Sequence, residues 1–255
     1  MTANKQEWFL RLIGPLGLLV AWESYIFFAK PVPTLAPSFT DVLGAFSTNS
    51  PSILYAATQT LLFILGASLI GGGIGTGLGL LFGRHRILDI AWVSTIAFFA
   101  TIPIITWLPL FVLWLGISQV PIFACGLLAS FFPSFQAGRG AAANPPQEYI
   151  EAAKNLGVRE QDLVRTVIFP AMLPVLISGW RSSLQLVFLV LPVAEMVLRR
   201  GGVGAVVGRG MDLARADLIL LGQLTLGLVG ALVFFLFDRV EQRWLGWMHA
   251  EAPRG

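Results

Sequence analysis

GRGAAANPPQEYIEAAKNLGVREQDLVRTVIFP, residues 138–170, is the longest interval between apolar runs in this chain. Within it Asn144 is a good N-cap, and Pro145 sits at a first helical position, where its missing N–H costs nothing. A short helix is predicted from there to Leu156, with Glu148 and Glu151 in its early turns, where the macrodipole favours negative charge. Gly157 follows, at the place of a left-handed C-cap. A second helix is predicted from about Arg159 to Ile168, with Leu163 and Val167 on one side. Pro170 and Pro174 mark its end and the start of the next apolar run. Two short helices at a glycine bend, trapped between apolar runs, suit a docking element that lies in a partner's groove and moves with it. They suit an ordinary structured loop equally well.

The flanking sequence sets the context. Apolar runs fall at about 12–29, 53–82, 90–115, 120–137, 172–198 and 218–237, and about 20 apolar residues suffice to cross a bilayer. The expectation is one all-α transmembrane domain over residues 1–255 with six spans, and 138–170 as a cytoplasmic loop. Composition agrees: 56% of residues are hydrophobic and 12% charged, with a mean hydropathy of +0.76. A soluble domain carries roughly 25% charge, so a water-soluble fold is excluded. The first run is longer than a signal-peptide core and lacks a small-residue cleavage site after it, so it is read as a retained span.

If both termini are cytoplasmic, Lys5, Arg11, Arg84, Arg86, Arg139, Lys154, Arg159, Arg165, Arg181, Arg239, Arg243 and Arg254 lie inside. Lys30, Arg199, Arg200, Arg209 and Arg215 lie outside, and twelve against five follows the positive-inside rule. The four external arginines in the last loop run against the trend. The pI of about 9.4 comes from these loop charges and is not read as a nucleic-acid surface.

The second run holds glycines at 66, 71, 72, 73, 75, 77, 79 and 83. Small residues at helical spacing let helix backbones approach closely in lipid, a packing role that outweighs a hinge. No strand precedes them and no Lys-Ser/Thr follows, so this is not a phosphate-cradling loop. Between Pro31 and Ser52, Ser38 is predicted to cap a short amphipathic helix with Phe39, Val42, Leu43 and Phe46 on one face, lying along the outer membrane surface. The loop from about Arg199 to Ala216 reads as a short re-entrant or interfacial segment. Cys125, the one cysteine, is expected to be a small buried hydrophobe. His85 and His249 are too few and too far apart for a metal site.

Glu151-Ala152-Ala153, three residues, Gly157, nine residues, Val167, one residue and Phe169-Pro170 resemble the EAA motif of binding-protein-dependent ABC permeases. Val167 stands for Ile and Phe169 for Leu. The likeness extends over roughly residues 18–245, through Trp22-Glu23, the Pro33–Leu43 segment, Ile102-Pro103, Trp107-Leu108-Pro109, Leu115-Gly116-Ile117, Ala194-Glu195-Met196, Gly201 to Gly204 and Asp217-Leu218-Ile219. These resemble permeases of the sulfonate, taurine and nitrate type. The resemblance implies a six-helix type I ABC importer fold with cytoplasmic coupling helices. It also implies a second permease copy, usually identical, two ABC ATPase subunits and an extracytoplasmic binding protein, all at the inner membrane of a bacterium. ATP and Mg would bind the partner ATPase and no cofactor this chain. Glu151, Ala152, Ala153, Gly157, Val167, Phe169 and Pro170 would couple the ATPase to the spans.

Glu195, within VFLVLPVAEMVL, and Glu23, in the first run, are ionisable groups at membrane depth and hence candidates for the translocation path. Glu195 is also expected to form a structural ion pair with a residue such as Arg199 or Arg200, and Glu23 to face a neighbouring helix. Pro103 and Trp107 are further path candidates in a bent third span, against ordinary core packing. A membrane enzyme would need a nucleophile with a base or a ligand cluster, and two distant histidines supply neither. An ion-gradient-driven secondary transporter is the stronger rival, with Glu195 as a proton relay, but it leaves the EAA-like interval unexplained. With no Walker A sequence present, ATP hydrolysis falls to another polypeptide. Arg199, Arg200, Arg209 and Arg215 suit a small anionic solute, or an acidic face of the binding protein.

Overall fold

A computed structural model describes residues 5–30, 32, 35–145 and 147–249. Pro31, Pro33, Thr34 and Arg254 lie outside the described residues, as do the side chains of Lys5, Arg11 and His249. The chain runs α1 (Lys5–Ala29), α2 (Phe39–Arg84), α3 (Arg86–Thr101), a 3-10 turn (Ile104–Trp107), α4 (Leu108–Leu115) and α5 (Val120–Ala143). It continues as α6 (Gln147–Asn155), α7 (Glu160–Leu163), a π turn (Val164–Ile168), α8 (Phe169–Leu198), α9 (Val203–Asp212) and α10 (Ala216–His249).

Helix α2, helix α5, the continuous stretch Val164–Leu198 and Ala216–Gly246 of α10 are long and apolar enough to cross a bilayer. Helix α3 and the following 104–115 helix pass together as one span bent by 90°. Among the described residues the apolar part of α1, Leu16–Ala29, is shorter. Among the described residues the six expected runs therefore become four straight spans, one broken span and one shorter apolar helix.

Several expectations need correction. The amphipathic segment after Ser38 is no separate surface helix, because it continues unbroken into the second span as the 46-residue α2. Of the face expected there only Val42 is buried, packed with Ala45 and Ile53 against Val203, Val206, Leu218 and Leu221, while Phe39, Leu43 and Phe46 are exposed. Pro51 is accommodated within α2. In the turn before it the Thr48 and Asn49 side chains donate to the carbonyls of Gly44 and Ala45, as polar side chains do where proline interrupts a span. The Ser38 cap itself is present, as a capping box with Asp41.

Asn144 ends α5 rather than starting α6, its N–H reaching the carbonyl of Gly140. The run Ala141-Ala142-Ala143 extends α5 to the point where Pro145 disfavours helix in the residue before it. The predicted 159–168 helix does not stop at Pro170. It passes through the π turn into α8, with Pro170 just after the π turn.

The central seam is α2 against α5. A Cβ on Gly71, Gly75, Gly79 or Gly83 would collide with the carbonyl oxygen of Leu127, Phe131, Phe135 or Arg139 respectively. Both series step by four residues, so one helix's glycine ridge lies on a row of the other's carbonyls, and Ser130 Oγ donates to the Ala67 carbonyl at 2.7 Å within the same seam. This is the packing role expected of the glycines. Around it Ile64, Ile122, Cys125, Val187 and Leu191 form the main core, with Cys125 buried as expected.

Candidate functional site

The motif interval lies at one end of α8. Helix α6 closes in a Schellman motif: the Gly157 N–H donates to the Lys154 carbonyl and the Val158 N–H to the Ala153 carbonyl, both at 3.0 Å, with Gly157 at φ +80°. No atom lies within 4 Å of a Cβ built there. Glycine is thus required by the backbone conformation and not by crowding. Ala153 and Leu163 are turned inward, while Glu151 and Ala152 face outward. Leu156, 85% exposed, stands with exposed Tyr149 and Val164 as an apolar crest on an otherwise polar loop. These three residues were not singled out from the sequence. Each is an unremarkable apolar residue until the turn at Gly157 shows which way it points.

Val167 lies in the π turn, and Phe169 and Pro170 begin α8. Phe169 lines a cleft of about 410 Å³ between α2, α8 and α10, with Leu69, Trp180 and Val240. This end of the bundle is braced by ion pairs. Arg139 on α5 grips Asp89 on α3, and Arg181 on α8 grips Asp238, at 2.5 Å, and Glu241 on α10.

At the other end of α8, Glu195 is 1% exposed and its carboxylate accepts from two donors on different helices. Thr60 Oγ1, from α2, lies 2.9 Å from both Oε1 and Oε2, and the Gly204 N–H donates to Oε2 at 2.9 Å. Thr60 Oγ1 in turn accepts from the Val203 N–H at 2.9 Å. The first turn of α9 is therefore capped by a side chain of α8 and a hydroxyl of α2, with the positive end of the α9 dipole facing the carboxylate. Glycine makes this approach possible. A Cβ on Gly202 would stand 2.7 Å from the Glu195 carboxyl carbon, and one on Gly204 2.8 Å from Glu195 Cβ.

The expected partner of Glu195 is not an arginine. Arg199 turns away to Asp212, at 2.8 and 2.9 Å, and to the Met196 carbonyl, and Arg200 makes no ion pair among the described residues. That guanidinium holds the Asp212 carboxyl below the usual carboxylate range. The 199–216 segment holds the short helix α9, which packs against α2, α8 and α10 with Val203 to Gly208 buried. Thr60 was not found from sequence, since a threonine inside an apolar helix carries no pattern that points outward from its own helix.

Glu23 also ends on a helix N-terminus: its Oε1 accepts from the Phe39 N–H at 2.5 Å, while Trp22 Nε1 donates to the Pro37 carbonyl at 3.1 Å. Pro103 sits at the bend after α3, its carbonyl accepting from Thr106. Trp107 belongs to an aromatic file, Phe99–Trp107–Phe111–Trp114, with ring centroids 5.9, 6.2 and 6.3 Å apart. Its Nε1 is buried without a hydrogen-bond partner among the described residues. No hydrogen bond or ring contact among the described residues joins Glu195, Glu23 and Trp107 to one another.

A family model described as binding-protein-dependent transport system inner membrane component matches residues 70–246, a stretch that holds the motif loop, Glu195 and α9. The chain belongs to this family. A putative aliphatic sulfonates transport permease of Bacillus subtilis is 28% identical over 97% of this chain and 90% of its own length. A riboflavin transport system permease of Chloroflexus aurantiacus is 29% identical over 90% and 87%. Among solved structures, the MetNI methionine ABC transporter in an inward-facing conformation superposes with a TM-score of 0.61 at 20% identity. That match covers 75% of this chain and 95% of the other, and it shows the fold to be that of a type I ABC importer permease.

This permease is the multi-pass inner-membrane subunit of an ABC importer, with solute passing through it and ATP hydrolysed on a separate ATPase subunit. An ATPase and a substrate-binding protein are accordingly its partners. Membership of the family displaces the gradient-driven reading.

Proposed function

We propose that two copies of this permease form the translocation path for a small anionic solute, delivered by an extracytoplasmic binding protein to an assembly with two ATPase subunits. ATP and Mg belong to those subunits, and no cofactor belongs to this chain. Both termini are cytoplasmic, as the distribution of Lys and Arg favours. The loop around α6 then faces the ATPase, and α9 faces the binding protein. The observation that carries the coupling role is the outward presentation of Glu151, Ala152 and Leu156 on a helix fixed by the Gly157 turn. Beyond the Gly157 turn, α7 and the π turn with Val167 run into Phe169 and Pro170 of α8, so ATPase closure at α6 reaches the membrane through that turn and the helix that follows it. Pro103 and Trp107 are proposed to line the path at the bend of the third span, with Glu23 and Glu195 framing it from the helix termini they cap.

The test is affinity purification of the tagged permease from its native membranes in mild detergent, wild type beside Gly157→Arg. Co-purification of a Walker-motif ATPase near one to one, lost in the variant, supports the coupling role. Wild-type permease without ATPase overturns it. The sulfonate relative favours an anion and the riboflavin relative a larger aromatic solute. Competition of taurine, an alkylsulfonate, nitrate and riboflavin for uptake into vesicles decides between them.

A further inference from the structure

Two polar tethers from other helices hold the start of α9: Thr60 of α2 on the Val203 N–H, and Glu195 of α8 on the Gly204 N–H. No residue of the 199–202 turn supplies a side-chain cap. The tethers are joined, since the Thr60 hydroxyl that accepts from Val203 also donates to Glu195. Three helices thus meet at one hydroxyl and one carboxylate, all buried, where an unmade hydrogen bond has no water to replace it. Below Glu195, α8 runs without a break to Phe169 and the motif loop.

We propose that Thr60 and Glu195 are positioning residues of the transport cycle: they fasten the first turn of α9 to α2 and α8, so that α9 moves with α8 as one body. Displacement of α8 by the loop at its far end then carries α9, and a displaced α9 is felt at the loop. The role differs from lining the path, because Glu195 is 1% exposed and both its oxygens, like the Thr60 hydroxyl, take part in the junction. It rests on the family's ATP-driven transport and not on the choice of solute.

Thr60→Val keeps the shape and removes the hydroxyl, Thr60→Ser restores it, and Glu195→Gln puts an amide where donors converge. Ser183→Ala, which removes a buried hydroxyl bonded to Ser134 between α5 and α8, is the control for a lost hydrogen bond elsewhere. Each is reconstituted in nanodiscs with its ATPase and measured for backbone hydrogen exchange over residues 203–206 and for basal ATP hydrolysis. In Thr60→Val and Glu195→Gln, exchange over 203–206 rises about tenfold, as loss of one net hydrogen bond allows. Basal hydrolysis is expected to rise about threefold in the same two variants, because an α8 released from α9 is less restrained. Thr60→Ser and Ser183→Ala match wild type in the exchange of 203–206. Faster exchange with unchanged hydrolysis overturns the proposal, leaving a purely structural cap. Unchanged exchange also overturns it, as does a rise shared by Ser183→Ala. A failure of the coupling-loop reading is separate: it appears as ATPase retained by Gly157→Arg, whatever happens at 203–206.

Discussion

Glu151 and Glu195 are carboxylates near opposite ends of the same helical path, and their surroundings could hardly differ more. Glu151 faces outward with no hydrogen bond or ion pair among the described residues, on a helix whose one buried residue is Ala153. Glu195 is sealed among three helices and fully engaged. Partly exposed ion pairs flank both ends, but at the α9 end a buried carboxyl group is also held by uncharged donors from two other helices. On the proposed coupling role one end is completed by the ATPase, while the other is engaged within the chain. Damage to the first should therefore appear as lost partnership, and damage to the second as lost structure.

The sharpest way to break this contrast is a bulky residue at the closed end. Gly204→Val drives a side chain into Glu195 and the Pro192 backbone and is expected to cost about 3 kcal/mol or more, since backbone cannot give way as a side chain does. Yield of folded protein and thermal unfolding in detergent report it. Next, Glu195→Ala leaves the Thr60 hydroxyl and the Gly204 N–H buried and unpaired, at about 2–4 kcal/mol. Glu151→Ala should shift unfolding by less than about 0.5 kcal/mol, as surface changes do. Equal shifts for the two would dissolve the distinction drawn between them.

At the open end, Gly157→Ala forces an L residue to φ +80° at a cost of about 1 kcal/mol. ATPase retention should fall while the melting temperature of the membrane core stays put, because the strain is confined to the α6 turn. The smallest effect expected is at Arg199–Asp212. Asp212 is held low by Arg199, so its contribution is present above the unfolded-state carboxylate pKa, near 3.9. It is lost as pH falls through the still lower folded value. Asp212→Asn should leave stability at pH 7 nearly unchanged and flatten the acid limb slightly, as for any exposed pair.

Hydropathy made the membrane class and the positions of the runs legible, because lipid demands long uninterrupted apolar helices whatever their partners. The motif spacing made Glu151 and Gly157 legible, because a surface shaped for another chain must keep its register in the sequence itself. The continuity of α2 was hidden by Pro51, whose local preference for a break is overridden by the packing of Val42 and Ala45 on α9 and α10. Similarly, the bend at Ile102-Pro103 could be anticipated as a kink, but not its 90° extent. Glu195 drew notice as a charge in an apolar run. Its partner Thr60 did not, since a hydrogen bond across 135 residues of chain leaves no periodicity behind.

The seam that closes α2 against α5 also settles a practical matter. Cys125 stands within that core with no exposed surface, and it is the only thiol in the chain. Water-soluble maleimides and spin labels have no route to it while the fold holds. A cysteine introduced on an exposed position of α6 or α9 should report alone, without the native residue having first to be removed, and labelling of the unsubstituted chain becomes a direct gauge of unfolding.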